Sequence, residues 1–183
     1  MPLTLIQGHY RIVHAAPDGD SIKFYPNNPD LWQGMGVRTN HAGGAQLRLD
    51  GIDALETHYQ PKGGSLGMLH QPALFAQASS TELLTFLGFK KVVRGDREIV
   101  ISAQPEQTPG FILTRFADTY GRSVAFAFKG SPGHPDGSAV TLDKVLLRAS
   151  ANYHLLAQGL AYPTYYSKLY PDLRQETLSP SRG

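Results

Sequence analysis

Cysteine is absent from the 183 residues of this chain, and charged residues are sparse. Without cysteine the chain can form neither a disulfide nor a thiolate metal site, which leaves its redox compartment open. Only 17% of the residues are charged and the net charge is +2, so no dense basic surface for tight nonspecific nucleic-acid binding is indicated. No apolar run approaches the roughly 20 residues that a membrane-spanning helix needs, so no membrane association is expected.

The length and composition fit one globular domain over residues 1–183, since 41% of the residues are hydrophobic. The segment 1–8 has no basic start and no long apolar run, so no signal peptide is predicted. The chain is therefore expected to be cytoplasmic, or secreted with its leader already removed. Glycine, proline and polar residues predict long loops at about 26–45 and about 58–71. We expect a tail over about 172–183.

Hydrophobic periodicity predicts short strands and two helices. The predicted strands cover residues 10–14, 21–25, 46–52, about 98–104, about 110–117 and 122–128. The predicted helices cover residues 72–87 and 142–158, and they end at Gly88 and Gly159. Trp32 and Met35 are expected to attach the first long loop to the body of the protein. Five mostly antiparallel strands with two or three helices packed on one side describe an α+β fold, an OB-type β-barrel.

Three short segments contain the candidate catalytic and metal-binding residues. They are Asp18-Gly19-Asp20-Ser21, the stretch Arg48-Leu-Asp-Gly-Ile-Asp53-Ala-Leu-Glu56-Thr57, and Asp118-Thr-Tyr120-Gly121-Arg122. Carboxylates at separated positions suit a hard divalent cation, and arginines suit a phosphate. A site with both indicates metal-assisted phosphodiester chemistry. Taken singly, each aspartate could instead be a turn or strand-end residue, and Arg48 could form an ion pair in the barrel wall.

The order of the strands allows these side chains to meet. Asp20 begins the second predicted strand and Asp53 follows the third, so the two carboxylates converge at one rim if those strands are neighbours. Arg48 and Asp53 are five positions apart, and a regular strand would point them to opposite faces. The strand must therefore end, twist or bulge between them, and Gly51 is well placed to allow it.

The three segments together resemble the staphylococcal nuclease family, and the resemblance runs from about Tyr10 to about Arg174. It implies the OB-type barrel and a calcium-dependent nuclease that cleaves DNA and RNA with little sequence preference, leaving 3′-phosphate ends. Single-stranded substrates are the expected preference. Departures from the family are the two long loops and a shortened or missing final helix.

The resemblance also implies residue roles. Asp20 and Asp53 match the family's metal-binding aspartates, and Ala54 matches a position whose backbone carbonyl is used, where threonine is usual. Glu56 matches the candidate general base that activates or orients the attacking water. Arg48 and Arg122 match the two arginines that clamp the phosphate.

Aromatic residues near the motifs suit base stacking, which tolerates any sequence. Tyr120 and Tyr165 are the candidate substrate-binding residues, and Tyr165 falls near a family tyrosine that packs the nucleotide base. Ordinary core or surface packing is the alternative for each of these tyrosines.

Two other functions remain open at this stage. One is a noncatalytic OB-fold module of the same family that binds nucleic acid or a protein segment without cutting. The other is a nuclease-like enzyme whose long loops narrow its substrate to a small nucleotide or a structured nucleic acid. A binding module would need no metal, whereas both enzymes would.

Overall fold

Alternating apolar side chains build the strands of a barrel with helices packed against it. The computed structural model describes residues 2–54 and 70–164. Its strands are β1 (Leu3–Arg11), β2 (Ser21–Pro26), β3 (Ala45–Leu49), β4 (Ile52–Ala54), β5 (Lys91–Arg94), β6 (Val100–Gln104), β7 (Gln107–Ala117), β8 (Ser123–Lys129), β9 (Ala139–Val140) and β10 (Ala161–Pro163). Its helices are α1 (His70–Phe86), α2 (Lys144–Ala149) and α3 (Ala151–Ala157).

Five strands close into a ring in the order β1, β2, β3, β8, β7 and back to β1. All of these pairs are antiparallel except β3 with β8, which is parallel. A closed ring leaves no open edge among these strands. The α+β architecture with a five-stranded OB-type barrel is therefore confirmed. Strand β9 adds to β1, while β4 pairs with β10 and β5 pairs with β6.

The core has two parts, one on each side of the barrel wall. The larger cluster fills the barrel and joins it to α1 and α3, with side chains that include Ile22, Phe24, Leu47, Leu49, Leu83, Leu87, Ile112 and Leu155. The smaller one covers the outer face of β1, β7 and β8, with Leu5, Phe111, Phe126, Phe128, Leu147 and Tyr153. Each fully buried Leu, Ile or Phe contributes roughly 1.5–3 kcal/mol, so these clusters fix where the strand ends lie.

The helix predicted over 142–158 is two helices, and this prediction was wrong. Ser150 is extended (φ −77°, ψ 152°), and its hydroxyl accepts a hydrogen bond from the Tyr153 amide at 3.1 Å. The same hydroxyl donates to the Leu147 carbonyl at 2.6 Å, so one serine ends α2 and begins α3. Val145 of α2 is apolar but 75% exposed.

Several strand boundaries also differ from the prediction. β1 starts at Leu3 and ends at Arg11, since residues 4–11 pair with residues 107–114 of β7. The chain then turns through His14, whose φ is +67°. Strands β4, β5, β9 and β10 were not predicted. Strand predictions 21–25, 110–117 and 122–128 are confirmed within one to three residues.

The long segment between β2 and β3 packs against the body as predicted. The buried Trp32 donates its indole N–H to the Gly43 carbonyl at 3.1 Å, and Met35 packs on the main core. The Arg38 amide donates to the Gly121 carbonyl at 2.8 Å, so this loop also contacts the turn before β8. The predicted loop 58–71 lies mostly outside the described residues, and the tail 172–183 lies entirely outside them. None of the described helices is long and apolar enough to cross a bilayer.

Candidate active site

Strand pairing brings the candidate residues to one rim of the barrel. Ser21 of β2 pairs with Arg48 of β3, and Arg48 pairs with Val124 of β8. Asp20 therefore lies beside the end of β3, and its carbonyl accepts the Leu49 amide at 2.8 Å. Arg122 comes immediately before β8, and β8 is the neighbour of β3 on the side opposite β2. The second and third predicted strands are therefore neighbours, which is the condition set for Asp20 and Asp53 to lie at one rim.

The turn that carries Asp20 is held by its own first aspartate. The Asp18 carboxylate accepts hydrogen bonds from the Ser21 hydroxyl at 2.8 Å and from the Asp20 amide at 3.3 Å. Gly19 is not among the glycines with positive φ. It is needed for space, because a Cβ there would lie 2.1 Å from the Ser79 hydroxyl and 2.7 Å from the Ala54 Cβ.

The Asp20 carboxylate is largely buried against Arg48 and Ala54, with 17% of its side chain exposed. Its Oδ2 lies 3.4 Å from the Arg48 Nη1 and accepts the Ala54 amide at 3.2 Å. Burial raises the pKa of Asp20 to about 6; the Arg48 guanidinium opposes this shift, and the nearby Asp18 carboxylate adds to it. A buried carboxylate next to a second one is a site where a bound cation would be stabilising.

Arg48 joins the two predicted metal ligands. Its Nη1 donates to the Leu49 carbonyl at 2.9 Å, and its Nη2 contacts the Asp53 carboxylate. This contact is possible because β3 ends at Leu49 and the chain turns through Gly51 at φ +76° before β4 begins. The expected break in the strand between Arg48 and Asp53 is confirmed. Because the guanidinium carries five N–H donors, some remain for a phosphate.

Arg122 is oriented by an aspartate four residues before it. The Asp118 carboxylate accepts the Arg122 amide at 2.9 Å, the Arg122 Nε–H at 2.7 Å and the Tyr120 amide at 3.0 Å. Burial would raise the pKa of Asp118, but these N–H groups and the guanidinium outweigh it and hold the pKa below its usual value. This bond is made at Nε, and no hydrogen bond from the two Nη groups of Arg122 is found within residues 2–54 and 70–164.

Two tyrosines extend the rim with exposed rings. Tyr120 is 74% exposed, and the Arg122 guanidinium carbon lies 5.5 Å from the centre of its ring. Tyr162 is 60% exposed and pairs with Asp53 between β10 and β4. Tyr120 therefore lies beside Arg122, and Tyr162 lies beside Asp53.

Buried polar residues support the turns from beneath. Asn152 of α3 is 1% exposed, and its amide oxygen accepts the Ala127 N–H at 3.0 Å. Its amide nitrogen donates to the carbonyls of Asp50 at 2.9 Å and Ala125 at 3.0 Å. It thereby ties helix α3 to β8 and to the Asp50-Gly51 turn between Arg48 and Asp53.

A second support lies under the Asp18-Gly19-Asp20 turn. The Ser80 hydroxyl of α1 donates to the Pro17 carbonyl at 3.0 Å. Arg94 of β5 donates from Nη2 to the same carbonyl at 3.2 Å and to the Ser80 hydroxyl at 2.7 Å. Helix α1 and the β5–β6 hairpin therefore fix the position of the chain just before Asp18.

The donor chemistry at the rim fits a calcium ion, which prefers oxygen ligands and carboxylates above all. Asp20 and Asp53 supply carboxylates within contact of one guanidinium, and Ala54 follows Asp53 directly. Within residues 2–54 and 70–164, no group of three or more histidines, cysteines and acids forms a candidate metal cage. The predicted general base Glu56 and the predicted stacking residue Tyr165 lie outside the described residues.

Sequence reasoning missed two contacts of the site. Asp118 was taken only as part of a turn, although its spacing of four from Arg122 is a signal for an ion pair. Arg38 was not predicted to lie near the site. It packs against Gly121, where any side chain would place its Cβ 2.7 Å from the Arg38 Cβ. No local pattern in the long loop could have indicated that contact.

The comparisons with known proteins add no family to this geometry. No protein-family model matches the chain, and no curated protein matches it either.

Proposed function

We propose that this protein is a calcium-dependent phosphodiesterase of the staphylococcal nuclease type, acting on DNA and RNA. The observation that carries the proposal is the rim cluster, defined as Asp20, Arg48, Asp53 and Arg122. These residues come from three separate sequence motifs and lie at the ends of adjacent strands. A barrel wall that needed only ion pairs for stability has no reason to collect them beside exposed aromatic rings.

The residue roles follow from the contacts. The carboxylates of Asp20 and Asp53, with the Ala54 carbonyl, would hold calcium, which when bound polarises a phosphate oxygen and favours ionisation of a water molecule. Arg122, fixed by Asp118 at Nε, presents its Nη donors to the phosphate oxygens on which charge develops. Arg48 has donors left beyond its contacts with Leu49 and Asp53. We assign Glu56 the role of orienting or deprotonating the attacking water.

The same arrangement supports a broad substrate range. The arginines would contact the phosphate charge, and Tyr120 would stack on the face of a base. Neither contact distinguishes the base sequence or the sugar. Bases splayed from a single strand can reach an exposed ring at a barrel rim, whereas bases paired in a duplex cannot. We therefore expect single-stranded DNA and RNA to be cut faster than duplex, leaving 3′-phosphate ends.

The test is degradation of heat-denatured DNA and of RNA by the purified chain, first with millimolar calcium and then with a chelator. Loss of both substrates only with calcium supports the proposal, and mass spectrometry of the products shows which end retains the phosphate. A folded chain that binds oligonucleotides but cuts neither substrate with any divalent ion would refute it and favour the noncatalytic binding module.

A further inference from the structure

A second concave surface lies at the opposite end of the barrel from the rim cluster. It is a cleft of about 800 Å³ between the end of α1, the β6–β7 turn and the end of β8. Strand β8 runs from Ser123, next to Arg122, to Lys129, which lines the cleft. At about 3.3 Å per residue, the two sites are roughly 20 Å apart. We call this surface the lysine cleft.

Three exposed lysines surround the cleft; two of them are consecutive in the chain and the third lies on another strand. Lys90 follows α1, Lys91 begins β5, and Lys129 ends β8. No aspartate or glutamate is among the described residues that line the cleft, and no described acid forms an ion pair with any of the three lysines. The Lys129 ammonium lies 4.7 Å from the centre of the Phe86 ring, a cation–π contact that leaves its charge in place. The cleft therefore presents a concentrated positive charge in a protein whose net charge is only +2.

The wall between the lysines is mostly apolar. Leu87, Pro105 and Pro109 form it, and Gly88 contributes bare backbone. The carbonyls at the end of α1 are satisfied, because those of Leu84 and Thr85 accept the amides of Phe89 and Gly88. Leu84 and Thr85 therefore leave no unpaired carbonyl that would offset the positive charge of the lysines.

One residue that lines the cleft, Thr108, has a buried polar atom without a hydrogen bond among the described residues. It is 3% exposed, and the atom is its side-chain hydroxyl. A buried hydroxyl without a partner costs stability. Rotation about its Cα–Cβ bond exchanges the hydroxyl with the methyl group that faces Gly88, and brings the hydroxyl to the cleft wall.

We propose that the lysine cleft binds a nucleoside phosphate, with the base or sugar against Leu87, Pro105 and Pro109 and the phosphate among the lysines. Three cations on two chain segments suit a multiply charged group better than a single carboxylate. The volume is far larger than inorganic phosphate needs and lies within the usual range for small-molecule sites. The ligand is either a free nucleotide or a nucleotide of a bound strand, and the two share this chemistry.

The test measures binding of adenosine 5′-monophosphate by calorimetry in a chelator, so it is independent of any hydrolysis. The double variant Lys90→Gln/Lys129→Gln is expected to bind about tenfold more weakly, as two exposed charge contacts would contribute. Lys23→Gln, which removes one charge from β2, is the control and should bind within twofold of the unchanged protein. Equal binding by the double variant and the control would overturn the proposal, as would displacement of the nucleotide by an equal concentration of inorganic phosphate.

Thr108→Val gives a readout that a charged surface alone would not give. Valine keeps the shape of threonine and removes the unpaired hydroxyl, so the denaturant midpoint should hold or rise while nucleotide affinity falls about threefold. Comparison of an eight-residue oligothymidylate with thymidine monophosphate then assigns the source. Tighter binding of the strand, lost in the lysine double variant, indicates a nucleic-acid strand. Equal affinity indicates a free nucleotide.

Discussion

Replacing Asp20 with asparagine should stabilise the calcium-free protein, although it should abolish activity. Asparagine keeps an oxygen that accepts the Ala54 N–H and removes the buried charge. Burial raises the Asp20 pKa from 3.8 to about 6, and 1.36 kcal/mol per pKa unit makes the buried charge cost about 3 kcal/mol. We expect Asp20→Asn to raise the free energy of unfolding by about 2–3 kcal/mol at pH 8.

The sign of the pH dependence follows from the raised pKa. Below about pH 4 the carboxyl is protonated in both folded and unfolded chains, so the stability that it lends by staying neutral is fully present. As pH rises from about 4 through 6, the unfolded chain ionises first and the free energy of unfolding falls. The difference between wild type and Asp20→Asn should therefore shrink below about 1 kcal/mol at pH 4.

The assay is urea unfolding followed by circular dichroism at several pH values in a chelator. Asp118→Asn is the matched control, because the pKa of Asp118 is lowered and its carboxylate accepts three N–H groups. That variant should lose stability at pH 8, opposite in sign to Asp20→Asn. An Asp20→Asn protein that is less stable than wild type at pH 8 would refute the electrostatic argument.

Three further predictions concern calcium and the residues that support the site. Calcium at 100 times its dissociation constant should stabilise wild type by about 2.7 kcal/mol and leave Asp20→Asn unchanged, which a thermal melt with and without chelator would show. Asn152→Ala should cost about 3 kcal/mol in urea unfolding, because its three buried hydrogen bonds are lost; a loss below about 1 kcal/mol would contradict this role. Gly51→Ala should cost roughly 1–2 kcal/mol at φ +76° and lower the cleavage rate, whereas Gly133→Ala, with open space around it, should change neither.

Much of the barrel could be predicted because its information is local. Alternating apolar side chains mark the buried face of β2, continuous apolar runs mark the buried strands β7 and β8, and glycines at 88 and 159 end helices with positive φ. The position of Gly51 between Arg48 and Asp53 also correctly predicted where the strand breaks. In each case a few adjacent residues determine the conformation.

The features that escaped prediction depend on distant partners. β4 and β10 form because residues 52–54 pair with residues 161–163, more than a hundred positions away. Ser150 breaks the last helix because the next residues, including Asn152, are directed at the carbonyls of Asp50 and Ala125. Gly19 is required by the close approach of Ser79 from α1, a contact that no turn pattern reveals.

The central claim is that the rim cluster is a phosphodiesterase active site, and the initial rate on single-stranded DNA with calcium tests it most directly. Wild type should be compared with Arg122→Gln and with Lys23→Gln, which removes a charge from β2 that makes no contact with the rim cluster among the described ion pairs. The account predicts a loss on the order of 10²–10³ in rate for Arg122→Gln and an unchanged rate for Lys23→Gln. Equal rates for wild type and Arg122→Gln, in folded protein, would contradict it.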